Sequence, residues 1–276
     1  FRRVLFRSPG QPTHPVAMRQ DARMRILLRA LILVACVVVS AAPTAVVARA
    51  RRVYHVPVLM YHRIARAPAD AIWPSLFVNP TKFAAQMAVL DDAGWETITA
   101  AQLAAAVAAG DTIPRKTFVI TFDDGTVDGY ENALPILQEH GFVATFYVIT
   151  HKVGREKYCS VEQVQALALA GMEIGNHTSL HVFDPLANRS ETDALVRDAQ
   201  AAIELWTGVR PTTFAYPYGY QSANLIASVR SAGIQMAFTT QWGARETTDS
   251  SLSLPRVRLG PWVTPERLVE ILGYWR

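Results

Sequence analysis

Cysteine is nearly missing from this chain: 276 residues contain two, Cys36 and Cys159. A disulfide framework is thereby excluded, and a domain of this length does not need one. The apolar run at residues 31–39 falls short of the roughly 20 residues that cross a bilayer. Basic stripes are lacking as well. Residues 51–276 carry 19 basic and 22 acidic side chains, a net charge of −3. The formal charge of +4 comes from residues 1–50, which hold eight Arg, no Lys and one Asp. Nucleic acid is therefore not an expected partner. No repeat, low-complexity stretch or linker breaks the rest. With 50% apolar and 18% charged residues, one large globular domain is expected.

The first fifty residues read differently from the remainder. Residues 1–8, Phe-Arg-Arg-Val-Leu-Phe-Arg-Ser, back-translate to something like the end of a sequencing adapter. Residues 1–17 are thus expected to be a non-native or untranslated leader, with translation starting at Met18 or Met24. Residues 18–50 have the form of a signal peptide. Arg19, Arg23, Arg25 and Arg29 precede the apolar core, and Ala48-Arg-Ala50 offers a small-x-small cleavage site, with Ser40-Ala-Ala42 as a second. Leu33-Val-Ala-Cys36 also looks like a lipoprotein box, although three Val follow it. The expectation is an exported protein, periplasmic or secreted. Membrane attachment would come only from a lipid at Cys36 or from an uncleaved signal.

Residues 51–276 alternate between strand-like and helix-like segments. Strands are expected at 56–61, 96–99, 117–121 and 144–148, and helices at 81–93, 100–109, 130–140, 161–170, 190–206 and 222–232. Ser190 is the expected N-cap of the longest helix, with Asp193 in the capping-box position. Thr264 caps a last helix with Pro265 at its first position. This alternation implies a mainly parallel sheet, and six or seven units in about 220 residues suggest a closed barrel in one domain.

Two motifs carry chemistry. The apolar strand at 117–121 runs into Asp123-Asp124-Gly125, placing two carboxylates at a strand end, the edge where α/β folds bind ligands. Adjacent strand residues face opposite ways, so the turn through Gly125 must splay both into one site. Two carboxylates that close call for a nearby cation. His177 and His181 are four apart, a spacing that on a helical turn puts both imidazoles on one face. Two His and one carboxylate leave positions open for water and substrate, as catalytic metal sites do. Either motif alone is also found on ordinary solvated loops.

Thr121-Phe-Asp-Asp-Gly125, Glu173-Ile-Gly-Asn-His-Thr-Ser-Leu-His181 and Phe214-Ala-Tyr-Pro-Tyr-Gly219 resemble the motifs of the polysaccharide deacetylases, the NodB-homology family or carbohydrate esterase family 4. Pro57-Val-Leu-Met-Tyr-His-Arg-Ile64 resembles the circularly permuted branch of biofilm poly-N-acetylglucosamine deacetylases. The resemblance implies an irregular (β/α)7-type barrel and hydrolysis of N-acetyl groups on an N-acetylglucosamine polysaccharide. It implies Asp123 as general base and Asp124, His177 and His181 as ligands of a divalent metal, Zn²⁺ first, with Ni²⁺, Co²⁺ or Fe²⁺ as alternatives. It also implies that the backbone of Pro217, Tyr218 and Gly219 helps hold the oxyanion. His62 would be the general acid that protonates the departing amine.

Two departures stand out. Many relatives carry an Arg in the third motif that orients the base, and none is present in Phe214–Gly219. The Leu-x-x-His element expected near the C-terminus is replaced by Leu254-Pro-Arg-Val-Arg-Leu259, and no His follows His181. A catalytically weak sugar-binding module is therefore carried as the alternative. A nonhaem iron oxygenase also uses two His and a carboxylate, but its close His-x-carboxylate pair is missing. Trp242 and Trp262 are candidates for stacking on a sugar or packing in the core.

Overall fold

Alternation of side chains along Thr117–Phe122 (β3) sets the architecture. Phe118, Ile120 and Phe122 face one apolar layer, whereas Val119 faces another, as a period-two strand buried on both sides requires. In the computed structural model, which describes residues 53–244 and 250–275, seven parallel strands close on themselves. They are Val58–Tyr61 (β1), β3, Thr145–Val148 (β4), Glu173–Asn176 (β5), Thr213–Ala215 (β6), Met236–Trp242 (β7) and Leu254–Arg258 (β8). The order runs from β1 through β8, β7, β6, β5 and β4 to β3, and β3 closes on β1 with Val58 opposite Val119 and Tyr61 opposite Phe122. The short strand Glu96–Thr97 (β2) pairs with the start of β3. This is the expected α/β barrel of the (β/α)7 type in one domain, formed by the described residues. The expected leader and signal segments lie outside the described residues.

Helices cover the outside. Pro80–Asp92 (α1) is capped by the Asn79 side chain, and Ala100–Ala109 (α2) by a Thr99–Gln102 capping box. Phe83, Met87 and Leu90 of α1 pack on Leu59, Tyr61, Ile120 and Phe122. Phe122 stacks on Phe146 with ring centroids 4.7 Å apart. Each such ring withdrawn from water contributes about 1.5–3 kcal/mol before entropy is counted. Leu103, Ala104 and Val107 of α2 instead pack with Val58, Val119, Tyr147 and Phe238. The α2 amide of Ala100 donates to Thr145 Oγ1. Val161–Leu169 (α4), Ala223–Ser231 (α6) and Pro265–Tyr274 (α7) are capped by Ser160, Ser222 and Thr264, the last as the sequence suggested.

Two helices differ from expectation. The expected helix at 130–140 is a π-helical turn, Gly129–Ala133, followed by Leu134–Glu139 (α3). Pro135 lies at the junction and has no N–H to extend an α-helical ladder backwards. The longest helix, Arg189–Thr207 (α5), is capped by Asn188 and not by Ser190. Asn188 Oδ1 accepts from the Glu191 amide, and the Glu191 carboxylate accepts from the Asn188 amide. Glu at the third helical position makes this reciprocal pair possible, whereas the Ser190 register would place the shorter Asp193 there.

Candidate active site

Parity decides which side chains enter the barrel mouth. Val119, Thr121 and Asp123 alternate inward on β3 and its continuation. On β1 the inward set is Val58, Met60 and then His62. Because Tyr61 lies opposite Phe122, the next residues, His62 and Asp123, come side by side, and the Asp123 amide donates to the Tyr61 carbonyl at 3.0 Å. His62 Nε2 stands 4.0 Å from Asp123 Oδ2.

Asp123 is 3% exposed and is gripped by a residue that motif reading passed over. Arg256, fully buried on β8, donates from Nη1 to Oδ1 and from Nη2 to Oδ2, each at 2.7 Å. Arg256 is itself held by the Thr239 carbonyl and the Thr121 hydroxyl. The missing third-motif arginine is thus supplied by the Leu254–Leu259 segment, the same stretch in which a histidine was sought. A sequence signal existed: a charged residue two positions after Leu254, inside an otherwise strand-like run. Burial pushes the Asp123 carboxyl pKa up, but the Arg256 guanidinium outweighs it, aided by His177 and His62. Asp123 is therefore ionised well below the usual carboxylate range.

Asp124 turns the other way because its backbone is left-handed, with φ 78°. Gly125 follows at φ 70°, and a Cβ there would stand 2.9 Å from Val148 Cγ1. The Asp-Asp-Gly turn therefore needs glycine for both conformation and space. Asp124 Oδ1 reaches 3.5 Å from His177 Nε2 and 3.4 Å from His181 Nε2. The two histidines do not lie on a helical turn. They occupy an irregular loop after β5, and Thr178 and His181 adopt positive φ values of 67° and 56°. Left-handed non-glycine residues are costly, and three of them converge here. Their rings nonetheless end with centroids 4.7 Å apart.

One ligand atom each from Asp124, His177 and His181 lies within 4.8 Å of the others. His177 Nδ1 is 2.7 Å from the Ala215 carbonyl, which fixes Nε2 toward the centre. Burial beside His177 lowers the His181 pKa to about 4, so its ring is neutral and ready to ligate at neutral pH. For His177, burial is overridden by the bond to Asp124 and the pKa rises, while Asp124 is held low by the same bond. A divalent cation fits this donor set, taking the place of the shared proton.

The third motif closes the site. The Tyr218 ring lies 4.6 Å from that of His181 on a backbone with φ 57°. Pro217 is buried, and Gly219 sits where a Cβ would be 2.6 Å from the Thr240 amide. Trp242 and Trp262 are both more than half exposed, so neither is core. Trp242 shares a surface depression with Arg267, Ile271 and Tyr274 on α7.

Known proteins resemble this chain in sequence and in fold. The polysaccharide deacetylase family model matches residues 110–237. The Bacillus subtilis protein YxkH, named for the same family, is 30% identical over 209 residues, covering 74% of this chain and 71% of its own. A poly-beta-1,6-N-acetyl-D-glucosamine N-deacetylase of Staphylococcus aureus is 27% identical over 159 residues, 52% of this chain, and the match spans about half, 54%, of that relative's length. Among solved structures, the Streptococcus pyogenes deacetylase PplD in complex with acetate gives a TM-score of 0.74 at 25% identity, over 79% of this chain and 97% of that one.

Proposed function

The chain belongs to the polysaccharide deacetylase family, and from that membership we propose that it hydrolyses N-acetyl groups of an N-acetylglucosamine polymer, releasing acetate. Poly-β-1,6-N-acetylglucosamine-like chains and peptidoglycan are the substrates that fit this reading, the first supported by the activity named for the Staphylococcus aureus relative. The observation that carries it is the Asp123 carboxylate, clamped by Arg256 with His62 at its side and the Asp124–His177–His181 triad beyond.

Asp124, His177 and His181 would hold a divalent cation, Zn²⁺ in this proposal, which would supply Lewis acidity toward the acetyl carbonyl and the attacking water. Asp123 takes a proton from that water as its oxygen attacks the carbonyl carbon. The Tyr218 ring lies beside that of His181, and in this proposal the Tyr218 backbone N–H meets the developing oxyanion charge; Pro217 has no N–H to offer, and that of Gly219 donates to the Tyr216 carbonyl, so these two residues shape the turn. Burial lowers the His62 pKa, against the pull of Asp123 and Asp124, so the ring starts neutral. A protonated Asp123 is a strong acid here and returns its proton across the 4.0 Å gap to His62, through one water or a tilt of the ring. His62 then protonates the amine as the C–N bond breaks. One water is consumed, and acetate and a free glucosamine unit leave.

The binding-module alternative rested on the absence of an arginine to support the base. Arg256 removes that ground. Export to the periplasm or medium remains part of the proposal and rests on residues 18–50 of the sequence. Acetate release from an N-acetylglucosamine oligomer, with and without chelator, tests the function. Release that chelator abolishes supports it; tight oligomer binding with no release at any metal loading would falsify it.

A further inference from the structure

The β1–β3 ladder stops at Tyr61; beyond it Arg63 pairs through its backbone with Leu76 and Val78, and the tie back to the β3 loop runs through one carboxylate that no motif reading singled out. Asp128, 3% exposed, follows the Asp-Asp-Gly turn on the neighbouring β3 loop. Its Oδ2 accepts from Arg63 Nε at 2.5 Å, and its Oδ1 accepts from the Ile64 amide at 2.7 Å. The Thr126 hydroxyl lies 3.3 Å from Asp128 Oδ1 and 3.5 Å from the His62 carbonyl, with one proton to share between them. The Arg63 guanidinium also packs over the Phe77 ring at 4.9 Å. The backbone from 62 to 64 is thereby fastened to the loop that carries Asp123 and Asp124.

We propose that Asp128 is a positioning residue for the proton donor: it cross-ties the β1 and β3 loops and so sets the distance between His62 and Asp123. The inference rests on the reading of His62 as the acid. A carboxylate is suited to the role because two charge-assisted acceptors on a planar group fix both distance and direction. Displacing a reacting group by about 1 Å costs on the order of a hundredfold in rate, so the tie would be felt in turnover. Asp128 touches neither triad nor Asp123 by any bond described above, and KM and metal content should be indifferent to it.

The test compares a substrate that needs the acid with one that does not. Wild type, His62→Asn, Asp128→Asn and the double variant are assayed on an N-acetylglucosamine oligomer and on an acetate ester of a phenol with a good leaving group. Asp128→Asn keeps the acceptor for Ile64 and loses the ion pair to Arg63. Oligomer kcat should fall about 10–100-fold, with KM, metal content and ester turnover within about threefold of wild type. The double variant should be no slower on the oligomer than His62→Asn alone, because the tie acts only through that ring. If Asp128→Asn does not fold, Arg63→Gln removes the same ion pair from the other side and should shift the oligomer-to-ester ratio in the same direction. Equal loss on both substrates, or additive losses in the double variant, overturns the proposal. A wild type that releases no acetate overturns the function and this inference together. If His62→Asn leaves the ratio unchanged, the acid assignment falls, and this inference with it. A ratio that moves in His62→Asn but not in Asp128→Asn overturns this inference alone.

Discussion

On the β3–β5 side of the barrel mouth, Asp124, His177 and His181 converge because the chain leaves strand geometry. Asp124, Thr178 and His181 all take left-handed backbone, and the resulting loop aims three ligand atoms at one point. On the β1–β8 side, His62, Asp123 and Arg256 meet because the chain keeps strand geometry: they follow the inward parity of three strands and touch through register. One half stores local strain to gather residues from two short stretches. The other gathers residues separated by up to 194 positions, His62 to Arg256, with regular backbone and a buried ion pair. Strain makes the first half sensitive to loss of any ligand. Pairing makes the second sensitive to loss of either partner.

The largest effect should separate the halves outright. Under the proposed function, Asp124→Ala, His177→Ala and His181→Ala are each expected to lose bound metal and bring acetate release to background, since each removes one of the three side chains that could hold a metal ion. Asp123→Asn should keep its metal while turnover drops about a hundredfold or more. Elemental analysis of the purified variants decides it, and a metal-free Asp123→Asn protein would break the division.

His62→Asn comes next, with metal retained and kcat on the oligomer down about 10²–10⁴-fold. The pH profile sharpens the point. A buried neutral imidazole charges only below its ordinary value of about 6.5, so kcat/KM should fall as pH drops through that lowered pKa. His62→Asn should abolish this acid limb. An alkaline limb that disappears in its place would show that the ring enters the reaction already protonated.

Arg256→Met tests the pairing by stability. It leaves the Asp123 charge buried without its partner, and about 3–5 kcal/mol should be lost in urea unfolding. The sign with pH follows from a carboxyl whose folded pKa is depressed. Its contribution is complete above the unfolded value near about 4 and fades as pH falls toward the depressed one. Wild type should therefore lose this stability in acid, whereas Arg256→Met should show little of that dependence. Indifference of wild type to acid would contradict the ion pair as drawn.

The smallest effect lies at the end of the metal-bearing loop. Asn188→Ala removes the α5 cap and should cost about 1 kcal/mol, with Ser190→Ala near zero. The reverse ranking in thermal melts would restore Ser190 as the cap.

The metal half was legible because its residues cluster. Asp123-Asp124-Gly125 and His177-x-x-x-His181 each sit within a handful of positions, and the chemistry of two imidazoles and a carboxylate restricts what they can do. The expected helical turn between the histidines was wrong, since spacing alone does not distinguish a helix from a loop with two left-handed residues. Strands β5, β6, β7 and β8 were not read as strands, because short buried runs carry no periodicity of their own. Arg256 was lost with β8: only when Leu254–Arg258 is a strand does its third residue face inward.

By itself, the sequence determined the alternating α/β plan, the start of the last helix at Thr264, and the identity of the residues able to hold a cation. Those are consequences of local preference and of side-chain chemistry, which neighbours in the chain largely settle. Tertiary structure alone decided that β3 closes on β1, that His62 therefore lies beside Asp123, and that the guanidinium on that carboxylate arrives from β8. The physical reason is that strand register is a relation between distant segments. It is set by packing two faces of a closed sheet at once, and no window of sequence contains both partners.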